Sequence, residues 1–85
     1  MPKLSSTRAA SGTGVTNRIR ELRFHADEMT QQELAERIGV SRQTVVAIEK
    51  GKYSPTLELA FKIARVFETP IDTVFSYDEN ASKPS

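Results

Sequence analysis

The sequence predicts an all-α fold, a compact bundle of five short helices, and three observations support this. Apolar residues recur at spacings of three and four along most of the chain, as on the buried side of a helix. Polar capping residues precede these apolar runs, and glycine or proline marks several of their ends. The alternation of apolar and polar residues that indicates a strand is absent, so we expect no sheet.

Composition divides the 85 residues into one small domain with a polar segment at each end. Residues 1–15 are rich in Ser, Thr, Gly and Ala and have too few large apolar groups for a core, so we expect a disordered arm. Residues 16–76 carry the apolar periodicity and are expected to form the domain. Residues 77–85 are polar again, and we expect a flexible tail.

Composition also limits the classes of function. Because the chain has no cysteine, disulfides and thiolate zinc sites are excluded. No apolar run approaches the roughly 20 residues that span a bilayer. The single histidine, His25, has no partner at metal-ligand spacing, and adjacent acidic pairs such as Asp27-Glu28 do not converge into an acid–base site. We expect a cytoplasmic protein that is not an enzyme, has no metal, cofactor or small-molecule ligand, and contacts no membrane.

The first two helices are predicted from their caps. The first, about three turns long, is marked by Ile19 and Leu22. Phe24 or Ala26 continues its apolar side, and Thr16 or Asn17 is its cap. The second starts at Gln31 behind a capping box. In this box the Thr30 hydroxyl accepts from the backbone N–H of Glu33, and the Glu33 carboxylate accepts from the N–H of Thr30. The buried side of the second helix is expected to carry Leu34, Ala35 and Ile38.

A turn with a glycine leads into the third helix. Gly39 ends the second helix, because a left-handed C-terminal residue is least strained when it has no Cβ. Ser41 then caps a helix that runs from Arg42 to about Lys50, and Gly51 ends it. The residues that anchor this helix to the core are expected to be Val45 and Ile48.

Prolines precede the last two helices. Pro55-Thr56 opens the fourth, because its apolar positions begin there at helical spacing. The stripe of the fourth helix is expected to hold Leu57, Ala60, Ile63, Ala64 and Phe67. Thr69-Pro70 restarts the chain, since proline is favoured at a first helical position. The brief fifth helix is expected to contain Ile71, Val74 and Phe75.

The connection between the second and third helices indicates the function. It consists of Gly39-Val40-Ser41, the short glycine-containing turn that defines a helix-turn-helix. The exposed side of the third helix is then expected to carry Arg42, Gln43, Val46, Ala47 and Lys50. A short helix with an exposed first turn fits the major groove of B-DNA, where Arg pairs with guanine, Gln with adenine and small apolar groups with thymine methyls. The pattern indicates sequence-specific binding of double-stranded DNA.

Charge supports this interpretation only locally. The net charge of the chain is +1, but Arg42, Lys50 and Lys52 are opposed only by Glu49 within the segment of the third helix. Local rather than total charge sets the field that a phosphate meets. A solvated helix face with a few additional lysines has the same composition, so charge alone does not separate the two interpretations.

The run from Asn17 to Phe75 resembles the Cro and phage-repressor (Xre) family of helix-turn-helix regulators. The matching stretches are RIRELR, MTQQELAERIGVSRQTVVAIEKGKYSP, TLELAFKIARVF and IDTVF. The resemblance implies a five-helix DNA-binding fold in which the third helix reads the DNA, and a transcriptional regulator that acts as a repressor.

The resemblance also implies roles for individual residues. The positions that read bases in the family are occupied by Arg42, Gln43, Thr44, Val46 and Ala47. The positions that contact phosphates are occupied by Gln31, Ser41, Lys50 and Lys52, with Arg23 beside them. Arg23 and Glu49 correspond to a pair that forms an ion pair between the first and third helices in related repressors.

The chain departs from the family pattern at three places. The link HADEM between the first two helices contains no glycine and is one residue longer than usual. Glu68 follows the fourth helix where glycine is common, and Val46 stands where a polar residue is frequent. The valine is expected to narrow or shift the base preference.

One recognition helix covers too few base pairs for useful specificity, so we expect a homodimer on a pseudo-palindromic operator. The apolar residues of the fifth helix are the predicted surface for self-association. The alternative function is a protein-interaction module of the same fold, such as an antitoxin, in which DNA contact is secondary and an exposed Phe61 or Phe75 contacts the partner.

Overall fold

The computed structural model describes residues 14–78, which form five helices and one two-stranded sheet. In chain order the elements are β1 (Val15–Asn17), α1 (Ile19–His25), α2 (Gln31–Ile38), α3 (Arg42–Glu49), α4 (Leu57–Val66), α5 (Ile71–Val74) and β2 (Phe75–Tyr77). The five helices agree with the sequence prediction. The expectation of a purely all-α fold without a sheet is wrong.

The sheet joins the two ends of the described chain. β1 and β2 are antiparallel, with Val15 opposite Tyr77 and Asn17 opposite Phe75. A strand of three residues is too short to show alternation, and its partner lies at the other end of the chain, so the sequence has no local signal for it. Val15, which was assigned to the arm, and Tyr77, which was assigned to the tail, therefore lie in strands. Apart from Gly14 and Asp78, the rest of the arm and of the tail lies outside the described residues.

Asn17 connects β1 to two helices. Its Oδ1 accepts from the backbone N–H of Ile19 at 3.0 Å, at the start of α1, and its Nδ2 donates to the carbonyl of Ile48 in α3 at 2.8 Å. The asparagine rather than Thr16 therefore satisfies the start of α1. This helix has seven residues, about two turns, and is shorter than the three turns expected.

The caps of α2 and α3 are those that the sequence predicts. The Thr30 hydroxyl accepts from the N–H of Glu33 at 3.0 Å, and the Glu33 carboxylate accepts from the N–H of Thr30 at 2.8 Å. Gly39 follows α2 with φ +78°, and the Ser41 hydroxyl accepts from the N–H of Thr44 at 3.1 Å. Gly51 follows α3, also with a left-handed φ of +75°. These caps fix both ends of the turn between the two helices.

Two links adopt left-handed backbone without glycine. Asp27 and Glu28, between α1 and α2, have φ of +58° and +55°, and Glu68, after α4, has φ of +51°. Both links lie where the sequence departs from the family pattern by lacking glycine. A residue with a Cβ is strained in this region, at a cost of roughly 1–2 kcal/mol.

The last two helices differ from the prediction in which side chains they bury. Leu57, placed on the apolar stripe of α4, is the first residue of the helix and is 68% exposed, so the prediction that it belongs to the buried stripe is wrong. Phe75 belongs to β2 rather than to α5. Val74 is fully buried, and both Ile71 and Phe75 pack against the core. Of the surface predicted for self-association, Val74 is therefore interior, and Ile71 and Phe75 are half-buried at the edge of the core.

The core lies between α2, α3 and α4, with α1 and α5 adding one fully buried side chain each. Its largest fully buried side chains are Ile19, Leu34, Val45, Ile48, Ile63 and Val74. Burial at Leu34, Ala35 and Ile38 agrees with the sequence prediction for α2. Within residues 14–78, no helix has the length and apolar content needed to cross a membrane.

Candidate nucleic-acid interface

The orientation of α3 is fixed from inside by two side chains. Val45 is 1% exposed and Ile48 is 2% exposed, which agrees with their prediction as anchors. Arg42 and Gln43 in the first turn are exposed, whereas Val46 and Ala47 are half-buried. The polar first turn of α3 therefore faces solvent, and two small apolar groups lie beside it.

The first turn of α3 is held by its cap. Besides accepting from the N–H of Thr44, the Ser41 hydroxyl lies 3.0 Å from the Thr44 hydroxyl. Since each hydroxyl can donate to the other, this contact fixes the Thr44 rotamer against the cap. Thr44 is half-buried, in contrast to its exposed neighbours Arg42 and Gln43.

A carboxylate at the end of α3 connects it to α1 and α2. Arg23 of α1 donates from Nε to Oε2 of Glu49 at 2.6 Å and from Nη2 to Oε1 at 3.1 Å. Gln31, the first residue of α2, donates from Nε2 to the same Oε1 at 3.2 Å. The ion pair between Arg23 and Glu49 is thus present as a two-point contact. The carboxylate of Glu49 joins three helices.

The Arg23–Glu49 pair is shielded from water, since the side chains are only 15% and 9% exposed. Arg23 also donates from Nη1 to the carbonyl of Met29 at 2.7 Å, in the link that leads to α2. A planar guanidinium in a fixed two-point contact positions its partner more strictly than a lysine would. The pair therefore differs from the isolated surface charges that add little to stability.

A groove lies between α1, the start of α2 and the exposed side of α3. Its cations are Arg20, Arg23, Arg42 and Lys50, and its anions are Glu28 and Glu49. Because Glu49 is already paired with Arg23, the open part of the groove is positive. Gln31 and Val46 also line it, so five of the residues predicted to contact DNA share this surface: Arg23, Gln31, Arg42, Val46 and Lys50.

Arg20 is a member of this groove that the sequence analysis did not single out. It is exposed on α1, and its place there follows from its spacing of three residues from Arg23. That spacing was the sequence signal for Arg20. The expected pairing of Arg23 with Glu49 indicates which side of α1 faces α3, and a residue three positions before Arg23 lies on the same side. Lys52 is exposed beyond the end of α3 but is not among the residues that line the groove.

The fold and this groove define the class of protein. It is a helix-turn-helix module in which α3, the second helix of the motif, presents a polar, basic side to solvent. The model of the helix-turn-helix family matches residues 19–74, from the start of α1 to the end of α5. The chain belongs to this family, and the resemblance to Cro and phage repressors is confirmed. It is a DNA-binding transcriptional regulator, and its partner is double-stranded DNA.

The relatives have names that agree with this class. An uncharacterized HTH-type transcriptional regulator of Archaeoglobus fulgidus is 56% identical over 62 residues, covering 73% of this chain and 86% of the relative. Another, from Methanothermobacter thermautotrophicus, is 51% identical over 65 residues, covering 73% and 94%. The RstR transcriptional repressor of the cryptic phage CTXphi in Vibrio cholerae is 41% identical over 64 residues, covering 75% of this chain but 57% of the repressor. These names do not favour the interaction-only alternative.

Proposed function

We propose that the protein is a repressor that reads operator bases with α3 in the major groove, as a homodimer on a pseudo-palindromic site. The observation that carries the proposal is the exposure of Arg42 and Gln43 on a helix anchored from behind by Val45 and Ile48. An α-helix with its side chains is about 10–12 Å in diameter, so it fits into the major groove, which is roughly 12 Å wide. The name of the phage repressor relative supports repression.

Each exposed residue of α3 has a role in the proposed complex. Arg42 pairs with guanine through O6 and N7, and Gln43 pairs with adenine through N6 and N7. Val46 and Ala47, which are half-buried, contact thymine methyl groups. Thr44 is held by the Ser41 hydroxyl and therefore has a secondary part in base reading.

Phosphate contacts flank this reading surface. The start of α2 presents the positive end of a helix dipole, where the capping box already pairs the N–H groups of Thr30 and Glu33, and Gln31 and Ser41 lie at the first turns of the two helices of the motif. Lys50 and Lys52 add cations beyond α3. Arg23 contributes by fixing Glu49 and hence α3, while its guanidinium remains in the wall of the groove.

The test is selection of bound duplexes from random DNA, followed by binding of the variants Arg42→Ala and Gln43→Ala to the selected site. Each good bidentate contact gives about 1–3 kcal/mol of discrimination, so each variant is expected to lose preference at one base position. Arg37→Ala is the matched control, because Arg37 is exposed in the last turn of α2 and does not line the groove. Unchanged preference in both α3 variants would overturn the assignment of α3 as the reader.

Salt dependence provides an independent measurement on the same duplex. Phosphate contacts release counterions, so the logarithm of the binding constant is expected to fall linearly with the logarithm of salt concentration. Lys50→Ala is expected to reduce the slope by about one while preserving the base preference. A flat salt response in the wild-type chain would contradict binding to DNA phosphates.

A further inference from the structure

The exposed side of α4 carries apolar surface that neither the core nor the groove uses. Leu57 is 68% exposed and Phe61 is 51% exposed, and a spacing of four residues places them on one side of the helix. They line a shallow depression together with Glu58, Lys62 and Arg65. Single exposed apolar residues are common on proteins, but two large ones one turn apart in a depression indicate a contact surface.

The charges around this depression are arranged for a second copy of the same side. Glu58 lies near the start of α4 and Arg65 near its end, two turns apart on one side of the helix. If two α4 helices cross antiparallel about a two-fold axis between positions 61 and 62, Glu58 of each copy faces Arg65 of the other. A two-fold contact of this kind uses the same patch on both subunits, so one helix must supply both charges.

Existing contacts leave these charges available. Glu58 has a loose pair with Lys62 at 3.9 Å, and both side chains are mostly exposed, at 82% and 53%. Arg65 is exposed and forms no ion pair with another residue of the part of the chain described. Phe61 lies beside the proposed axis, where the two aromatic rings would meet and exclude water from the charge pairs.

We propose that the α4 surface, formed by Leu57, Glu58, Phe61, Lys62 and Arg65, is where two copies of this chain associate. This inference rests on the proposed function, since a homodimer on a two-fold DNA site requires a contact between the two copies. It adds which surface forms that contact. It replaces the surface predicted from the fifth helix, of which Val74 is fully buried while Ile71 and Phe75 are half-buried against the core. One helix side is small beside the roughly 800 Å² per partner of a standard stable interface, so the free dimer dissociates easily and DNA strengthens it.

The first experiment is sedimentation velocity of the full chain from micromolar to millimolar concentration, comparing wild type with Phe61→Lys and Phe24→Lys. Phe24 is the matched control, because it is 63% exposed on α1 and does not line the depression. We expect Phe61→Lys to weaken dimerisation by more than about tenfold and Phe24→Lys to leave it unchanged. Equal effects of both variants, or no dimer in wild type at millimolar concentration, would overturn the proposal.

Charge exchange tests the antiparallel arrangement itself. Glu58→Arg places like charges opposite each other across the axis, and Arg65→Glu does the same with opposite sign, so each is expected to weaken the dimer. The double variant Glu58→Arg with Arg65→Glu restores both pairs and is expected to recover wild-type association. Failure of the double variant to recover, with melting temperatures of all variants unchanged, would overturn the antiparallel arrangement.

A half-site duplex separates this inference from the proposed function. Phe61→Lys is expected to bind a duplex with one half-site as wild type does, and to lose only the cooperative gain on the full site. If it keeps that gain and stays dimeric, the association surface lies elsewhere while base reading by α3 stands. If Arg42→Ala leaves half-site binding and preference unchanged, the reader assignment fails whatever the oligomeric state.

Discussion

Replacement of Glu49 by alanine is expected to be the most damaging single change near the groove. It removes the acceptor of three hydrogen bonds, two from Arg23 and one from Gln31. The Arg23 guanidinium then keeps one hydrogen-bond acceptor, the carbonyl of Met29. Its side chain is only 15% exposed, so water replaces the lost carboxylate poorly. Leaving one charge of a shielded pair without its partner is strongly unfavourable.

The magnitude follows from the geometry. Breaking a fully buried pair costs about 3–5 kcal/mol, and a single hydrogen bond to a charged group contributes about 1.5–3 kcal/mol. Because water still reaches the edge of Arg23, we expect about 2–3 kcal/mol for Glu49→Ala. In a domain of this size that loss lowers the melting temperature by roughly 10–20 °C.

The assay is a double-mutant cycle by thermal and urea unfolding, with Arg23→Ala, Glu49→Ala and the double variant. Distant sites add within about 0.3–0.5 kcal/mol, whereas this pair is expected to show coupling of at least about 1 kcal/mol. Arg18→Ala with Glu21→Ala is the matched control, since that pair is 3.0 Å apart but more than half exposed on both sides. Additive effects at Arg23 and Glu49 would refute the reasoning.

Three further predictions concern the ends of the helices, and each is measured as a change in the free energy of unfolding. Thr30→Ala removes half of the capping box and is expected to cost about 1 kcal/mol, with the neighbouring Gln32→Ala near neutral as control. Gly39→Val is expected to cost more than 1 kcal/mol, because φ at this position is +78° and a residue with a Cβ is strained there. A Cβ at position 39 meets nothing within 4 Å, so the cost comes from the backbone alone, and an unchanged melting temperature would contradict it. Glu68→Gly is expected to stabilise by about 0.5–1 kcal/mol, because φ is +51°, whereas Glu68→Ala keeps the Cβ and is expected to give no such gain.

The parts of the fold that the sequence predicts are those encoded by neighbouring residues. A capping box needs only Thr30 and Glu33, and a left-handed turn needs only a glycine at position 39, so both are visible locally. The sheet depends on pairing between Val15 and Tyr77, at opposite ends of the domain, and no local pattern encodes it. The prediction that Leu57 is buried was wrong because the spacing of apolar residues indicates the side of a helix but not where the neighbouring elements that cover it end.

The same distinction applies to the site. Exposure of Arg42 and Gln43 follows from the anchors on the same helix, so the sequence was sufficient. The contact between Arg23 and Glu49 was expected only through the family resemblance, because the two residues are 26 positions apart. The link of Gln31 to the same carboxylate has no local signal, since the two residues lie in different helices, whereas the place of Arg20 in the groove follows from its spacing of three residues from Arg23.

The Glu49 carboxylate has a consequence for how α3 meets DNA. Val45 and Ile48 fix the depth of a helix of only eight residues, and its rotation about these apolar contacts is set by directional hydrogen bonds, of which Asn17 donates one to the carbonyl of Ile48. Directional hydrogen bonds from Arg23 and Gln31 restrain that rotation, and they act at the end of α3 opposite Arg42. A rotation at that end moves the first turn relative to the base edges, so loss of the carboxylate is expected to weaken base discrimination even where the protein remains folded. Glu49→Gln, which keeps an acceptor but removes the charge, should therefore reduce preference for the selected site more than it reduces binding to random duplex.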